Sequence, residues 1–477
     1  MSPRRIRSRF DPPAESRTES RSKLRRAKRG AAATRRALFF EALEDRRLLA
    51  TVNWTGNADG LWSNPSNWSS GVPVNGDAVV FDTVNLTGAA VQATTADVAG
   101  LQLSGITFQG SSPFGVNITA ASLSVAGDLT DNSAANDSIS GNTLAFTAGA
   151  DRRIFGAGNL TFTGPVTAAA KFGRITNGGS TTFQAGLTGT SFYISGGTVI
   201  FDSGANVSMT GEIGVGASTT SYFNGGSAGS GGMLVIQGTA TVSTATFNMG
   251  QNNGGPTQTN VVNQTGGTLT VTSNSGENAA IRLGHWPNET STYNLSGGVL
   301  NITDATADLA IATDGTGIFN QTGGIASSAG VKVNHRNANG NATFTVTGGT
   351  YNVGSRGILT DGGPAAVTSG GSGGTIKAAA SFSSSLPMTL SGTGASAATF
   401  DTNGNTITLS GVLSGSGDLN KSGAGTLTLT AQETYTGDTT ISGGLVSLAT
   451  GRLYSNLGWQ NKRITINNGA TVEIGGW

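Results

Sequence analysis

The residues that could carry chemistry are few and fall in one stretch: Asp304, Asp308 and Asp314, followed by Lys332, His335 and Arg336. Polysaccharide cleavage needs a close group of carboxylates and a basic residue as proton acceptor. If the chain returns to the same place about every 25 residues, Asp308 lies one return away from Lys332 or His335. Against catalysis, the chain after residue 50 holds no adjacent Asp-Asp pair and no Gly-His-Gly, and His285 stands in Gly-His-Trp. Polar groups on an outer face need only solvation, so no catalytic residue is assigned, and Arg152, Arg153 and Lys171 read as solvated loop positions. With no Cys and two distant His, and without an EF-hand or a Gly-Gly-x-Gly-x-Asp repeat, no metal site or cofactor is predicted. The glycines precede strands rather than helices, so no phosphate loop is expected. Trp54, Trp62 and Trp68, half of the six Trp residues, could stack on sugar rings as a glycan-binding platform. They could equally plug an open end of apolar core, and the second reading carries more weight.

These groups sit in a chain of 477 residues with 74 Gly, 11 Pro and only 12% charged positions. Charge at about half the usual level, with Gly at roughly twice its average, points to a turn-dense folded chain rather than to disorder. The formal net charge of +1 hides a split. The first 50 residues carry 15 Lys+Arg against 6 Asp+Glu, net +9, and the remainder 13 against 21, net −8. A basic arm suits phosphate, but this one lacks interleaved aromatics and adjoins an acidic body, so no nucleic-acid partner is predicted. No run approaches the 18 or more apolar residues of a membrane helix.

From Thr51 onward, short alternating apolar runs separated by Gly, Asn, Ser and Thr predict strands joined by turns. A Gly-Gly turn between such runs recurs at a near-regular interval, at Gly267, Gly298, Gly324 and Gly349. A period of roughly 20 to 31 residues without a helix predicts an all-β solenoid, each coil pairing with those above and below. At about 4.8 Å per coil, 14 to 20 coils would give a rod of roughly 70 to 100 Å.

Two stretches carry a resemblance that adds to this. Gly415 to Thr430, then Thr434 to Ile441 and Gly443 to Val446, are similar to the autotransporter-associated β-strand repeat, on Gly423, Gly425, Thr426, Leu427, Leu429, Tyr435, Thr436, Gly437, Thr439 and Ile441. Glu433 and Asp438 depart from the Asn and Gly commonest there. The Trp54, Trp62, Trp68, Pro73, Asp77 and Phe81 pattern resembles the opening of such repeat proteins. Phe39 to Ala50 resembles an FxxLExRxLLS-type motif found at the N-terminus of planctomycete surface proteins, with Asp45 where Pro is common. The resemblance implies a right-handed parallel β-helix of the pectin-lyase-like class, and export through residues 1–50, although those residues lack the apolar run of about 7 to 15 of an ordinary signal peptide.

The expected organisation is a disordered basic export segment over 1–50, a Trp-rich cap over 51–83, degenerate coils over 84–414, the repeat over 415–448, and a final coil or truncated continuation over 449–477. The expected function is that of an exported, non-enzymatic surface or extracellular protein acting as adhesin, spacer or envelope component. Surface polysaccharide or other envelope proteins would be its partners, and a polysaccharide-active β-helix enzyme is the alternative. The 29 residues after Leu448 are too few for a membrane barrel, which predicts release, non-covalent retention or a longer gene.

Overall fold

The computed structural model describes residues 49–84, 93–147, 149–217, 231–251, 256–336, 340–448 and 462–474. The expected disordered segment, most of the Phe39 to Ala50 motif and much of the expected final coil lie outside the described residues. From Leu49 onward the described chain is strand and turn, with two 3-10 turns, Pro65–Asn67 and Gly394–Ser396, and no α-helix. None of the described helices is long and apolar enough to cross a membrane.

The alternating runs pair as their period requires, and the described strands pair in parallel. Thr268–Val271 lies beside Val299–Ile302 with Leu269 opposite Leu300, and the ladder continues through Ile325, Thr350, Thr375 and Thr399. Thirty-five strands form one sheet system and five, from Phe382–Ser384 to Thr471–Ile474, a second. The result is an all-β solenoid in which each coil supplies one layer.

Alternation decides which side chains enter. Inward residues such as Leu269, Leu300, Ala326, Tyr351, Ile376 and Phe400 stack on their copies, and one apolar cluster contains residues from Val52 to Leu448. Aromatic rings continue the stacking, with Phe319 5.7 Å from both Tyr293 and Phe344. The recurring Gly-Gly turns are held by backbone sterics. Gly298, Gly324 and Gly349 have φ of 75°, 67° and 69°, and a Cβ on each would meet the carbonyl oxygen of the preceding copy at 2.3, 2.6 and 2.3 Å. Only Gly both adopts that conformation and allows that approach.

Two expectations need correction. Arg152 and Arg153 lie on the strand Arg152–Phe155 rather than in a solvated loop. Arg152 is buried and donates to the Thr147 carbonyl at 3.2 Å, and Arg153 pairs with Asp128 at 3.0 Å.

Candidate functional site

The outward positions of one sheet face carry the chemistry. Asn248, Arg282, Ala310, Lys332 and Leu359 stand opposite one another in register on successive coils. Long side chains on such a column reach up and down the stack, and here they meet charges held in the corners. The Arg282 guanidinium donates to the Gly276 carbonyl at 2.9 Å and lies 3.8 Å from Glu277. Glu277 also receives Arg336, which donates to Asp314 at 3.1 Å. Lys332 Nζ lies 2.9 Å from Asp361 Oδ1, and His335 Nδ1 lies 3.2 Å from Asp361 Oδ2. Asp308 takes Arg356 through both oxygens, at 2.7 and 2.9 Å. Four successive coils are tied together by these pairs.

The electrostatics follow from burial. His285 and His335 are buried. Burial, reinforced by Arg282 and Arg336, pushes the His285 imidazole down to about 3, and its ring stacks on Trp286 at 5.1 Å. Burial also lowers His335, outweighing the Asp361 bond, so at neutral pH this ring is uncharged. Its Nδ1–H then donates to Asp361, which leaves the Nε2 lone pair facing Glu277 Oε2 at 3.7 Å. Burial works to raise Asp361, but Lys332, the Arg336 amide and His335 together hold it below the usual carboxylate range. The arrangement is a proton acceptor oriented by a carboxylate, inside a clasp of compensated charges. Among the described residues no hydroxyl hydrogen-bonds to Nε2, so a nucleophile–base pair is not formed there.

Backbone conformation is also unusual here. Of the seven described non-glycine residues with positive φ, six lie between Glu277 and Arg336: Glu277, Asn278, Asn288, Ala312, Asn334 and Arg336. Such conformations are costly and concentrate where surrounding contacts over-determine them.

The sequence candidates distribute unevenly. Asp314, Lys332, His335 and Arg336 come together. Asp304 stays apart at an exposed turn, accepting from Thr306 N and Oγ1 at 2.8 and 2.7 Å. Asp308 lies opposite Gly330 rather than beside Lys332 or His335, because this coil is shorter than the Gly-Gly spacing and closes before Lys332 is reached. A Cβ on Gly330 would lie 2.7 Å from both Arg356 Cβ and Asp308 Oδ1, so glycine leaves the passage through which Arg356 reaches across a whole coil. Solvation alone therefore does not account for these groups. Glu277, Arg282, Arg356 and Asp361 were missed, although Asp361 follows His335 by 26 residues, one coil period.

Trp54, Trp62 and Trp68 are 2%, 0% and 5% exposed. Trp68 stands edge-on to Trp54 at 4.8 Å and to Trp62 at 5.3 Å. Trp62 Nε1 donates to Thr94 Oγ1 at 3.0 Å, and Trp68 Nε1 to the Trp62 carbonyl at 2.9 Å. In this structure the rings pack into the core and present no face on which a sugar could stack.

A further group of polar residues lies in the repeat near the end of the stack. Lys421 is buried and its ammonium donates to the carbonyls of Ser422, Gly423 and Gly443 at 2.9, 2.8 and 2.8 Å. Buried Glu433 accepts from the Leu413 amide. Asp438 accepts from the Arg463 amide at 2.8 Å and donates its own amide to Asp418 at 2.7 Å. The two departures from the common repeat thus hold neighbouring coils.

Burial raises the Glu433 carboxyl to about 7, against the Leu413 bond. A raised acid is more protonated folded than unfolded, so its effect on stability is nil below about 4.5 and becomes a cost that is complete above about 7. Glu433→Gln should therefore gain stability relative to wild type between pH 5 and pH 8, by up to about 3 kcal/mol. Urea midpoints of both proteins at the two pH values check this, and the histidine contributions cancel in the difference. A difference that does not change with pH counts against a raised Glu433.

With the solenoid and its inter-coil clasps in place, comparison with known families gives a match in the last part of the stack. Residues 419–448 match the passenger-associated-transport-repeat family, nested within the 415–448 expected from the sequence. No curated protein and no solved structure matches the chain.

Proposed function

We propose that this chain is an exported, non-enzymatic surface or extracellular protein, built as a right-handed parallel β-helix of the pectin-lyase-like type and acting as an adhesin, spacer or envelope component. The observation that carries this is the passenger-associated repeat at 419–448, whose strands continue the stack in register: Leu419 pairs with Ala398 and Leu427 with Ile407. A repeat of that class fits autotransporter passenger-type surface proteins. Residues 1–50 would serve export. Long regular faces suit multivalent weak contacts better than one deep pocket.

Cell fractionation with protease shaving of intact cells tests the reading. Recovery from the envelope or medium, with digestion before lysis, is expected, and a cytosolic protein with an intact N-terminus overturns it. The His335–Asp361 pair favours a second reading, a polysaccharide-active enzyme. Sugar release from acidic polysaccharide that disappears in His335→Gln, with the melting temperature kept, would establish that reading instead.

A further inference from the structure

We infer that the outer face between Ile325 and Ser422 carries a groove for a neutral, linear polysaccharide. This rests on the surface reading for its setting and deepens it by naming a ligand class and a place.

The groove has a volume of about 400 Å3 and lies between two outward columns on the same strands. Ile325, Thr350, Thr375 and Thr399 form one, each opposite the next in register. Asn352, Lys377 and Asp401 stand in the other, two residues along each strand. Four coil steps at about 4.8 Å make the groove about 19 Å long, enough for several sugar rings in a row.

Its chemistry selects the occupant. The hydroxyls of Thr350 and Thr375 make no hydrogen bond with the described chain, so they are available to a ligand rich in hydroxyls. Ile325, 46% exposed, offers an apolar ledge to the C–H face of a sugar ring. Lys377 lies 3.7 Å from Asp401, so the one cation in the lining is already balanced. A uronate chain or an anionic lipid surface thus finds no net counter-charge, whereas an uncharged polymer loses nothing. The backbone of these strands is committed to coil-to-coil pairing, so the face presents no open edge for a peptide strand to extend. A few well-placed polar groups beside an apolar contact are the usual means of orienting a ligand.

Affinity gel electrophoresis of the purified full chain tests this, in gels containing β-glucan, arabinoxylan or dextran and in one containing polygalacturonate. Retardation is expected in at least one neutral gel. It should weaken about tenfold or more in Thr375→Arg, which fills the groove with a charge, and persist in Thr408→Arg on the other sheet. Thr350→Arg replaces Thr375→Arg if the latter lowers the melting temperature. No retardation in any neutral gel, equal retardation in the groove variant, or retardation by polygalacturonate alone overturns the inference. None of these results depends on where fractionation places the protein, so the two readings fail separately.

Discussion

Arg174→Met is expected to cost about 3–5 kcal/mol of folding stability at pH 8, read as a lower urea midpoint. Arg174 is fully buried and projects inward from the strand Phe172–Phe183. Its Nη1 donates to Thr181 Oγ1 at 2.7 Å, and its Nη2 to the carbonyls of Gly156 at 3.1 Å, Gly158 at 3.4 Å and Gly178. Burial lowers its pKa to about 10, with the nearby Asp131 charge acting the other way. Asp131 and Asp137 are buried too, and burial raises both carboxyls. Methionine restores volume but leaves carbonyls without a donor and an acid pair without its cation. Adding Asp131→Asn should return part of the loss, because the charge that the guanidinium offsets is then gone. A single variant with the wild-type midpoint would show that this interior charge is not structural.

Trp62→Ala should lower stability at its end of the stack by about 3–5 kcal/mol, seen as an early melting transition. The ring is fully buried, within 5.3 Å of Trp68 and 5.8 Å of Phe81, and its removal also strands the Thr94 hydroxyl. Coils contact mainly their neighbours, so the effect should stay local before it spreads. Unchanged retention on glycan gels is expected alongside. Normal melting with lost retention would restore a sugar-stacking role for the Trp residues.

The period of the coils was legible in the Gly-Gly turns because a steric rule fixes them, one copy beneath the next. The repeat at 419–448 was legible through its Gly, Thr and Tyr spacing. Asp308 was misplaced because the spacing of the turns at Gly298, Gly324 and Gly349 does not hold for every strand: Val299 pairs with Ile325, but the next strand closes early and Asp308 pairs with Gly330, short of Lys332. Arg174 and Lys421 escaped notice for another reason. Alternation marks their positions as inward, whereas charge argues for outward, and the contest is settled by carbonyls from neighbouring turns that a linear reading does not assemble. The burial of Trp54, Trp62 and Trp68 depended likewise on which rings meet edge to edge.

The Asp308–Arg356 bridge has a mechanical consequence. Coupling in a stack of this kind ordinarily runs from one layer to the next, so strain at an end peels layers singly. A bond that skips a layer, passing over Gly330, couples the opening of one layer to that of the layer two away. With Glu277, Arg336 and Asp314 fastened alongside, this block is a rip-stop: a tear entering from either end must break several ionic seams at once before it travels further.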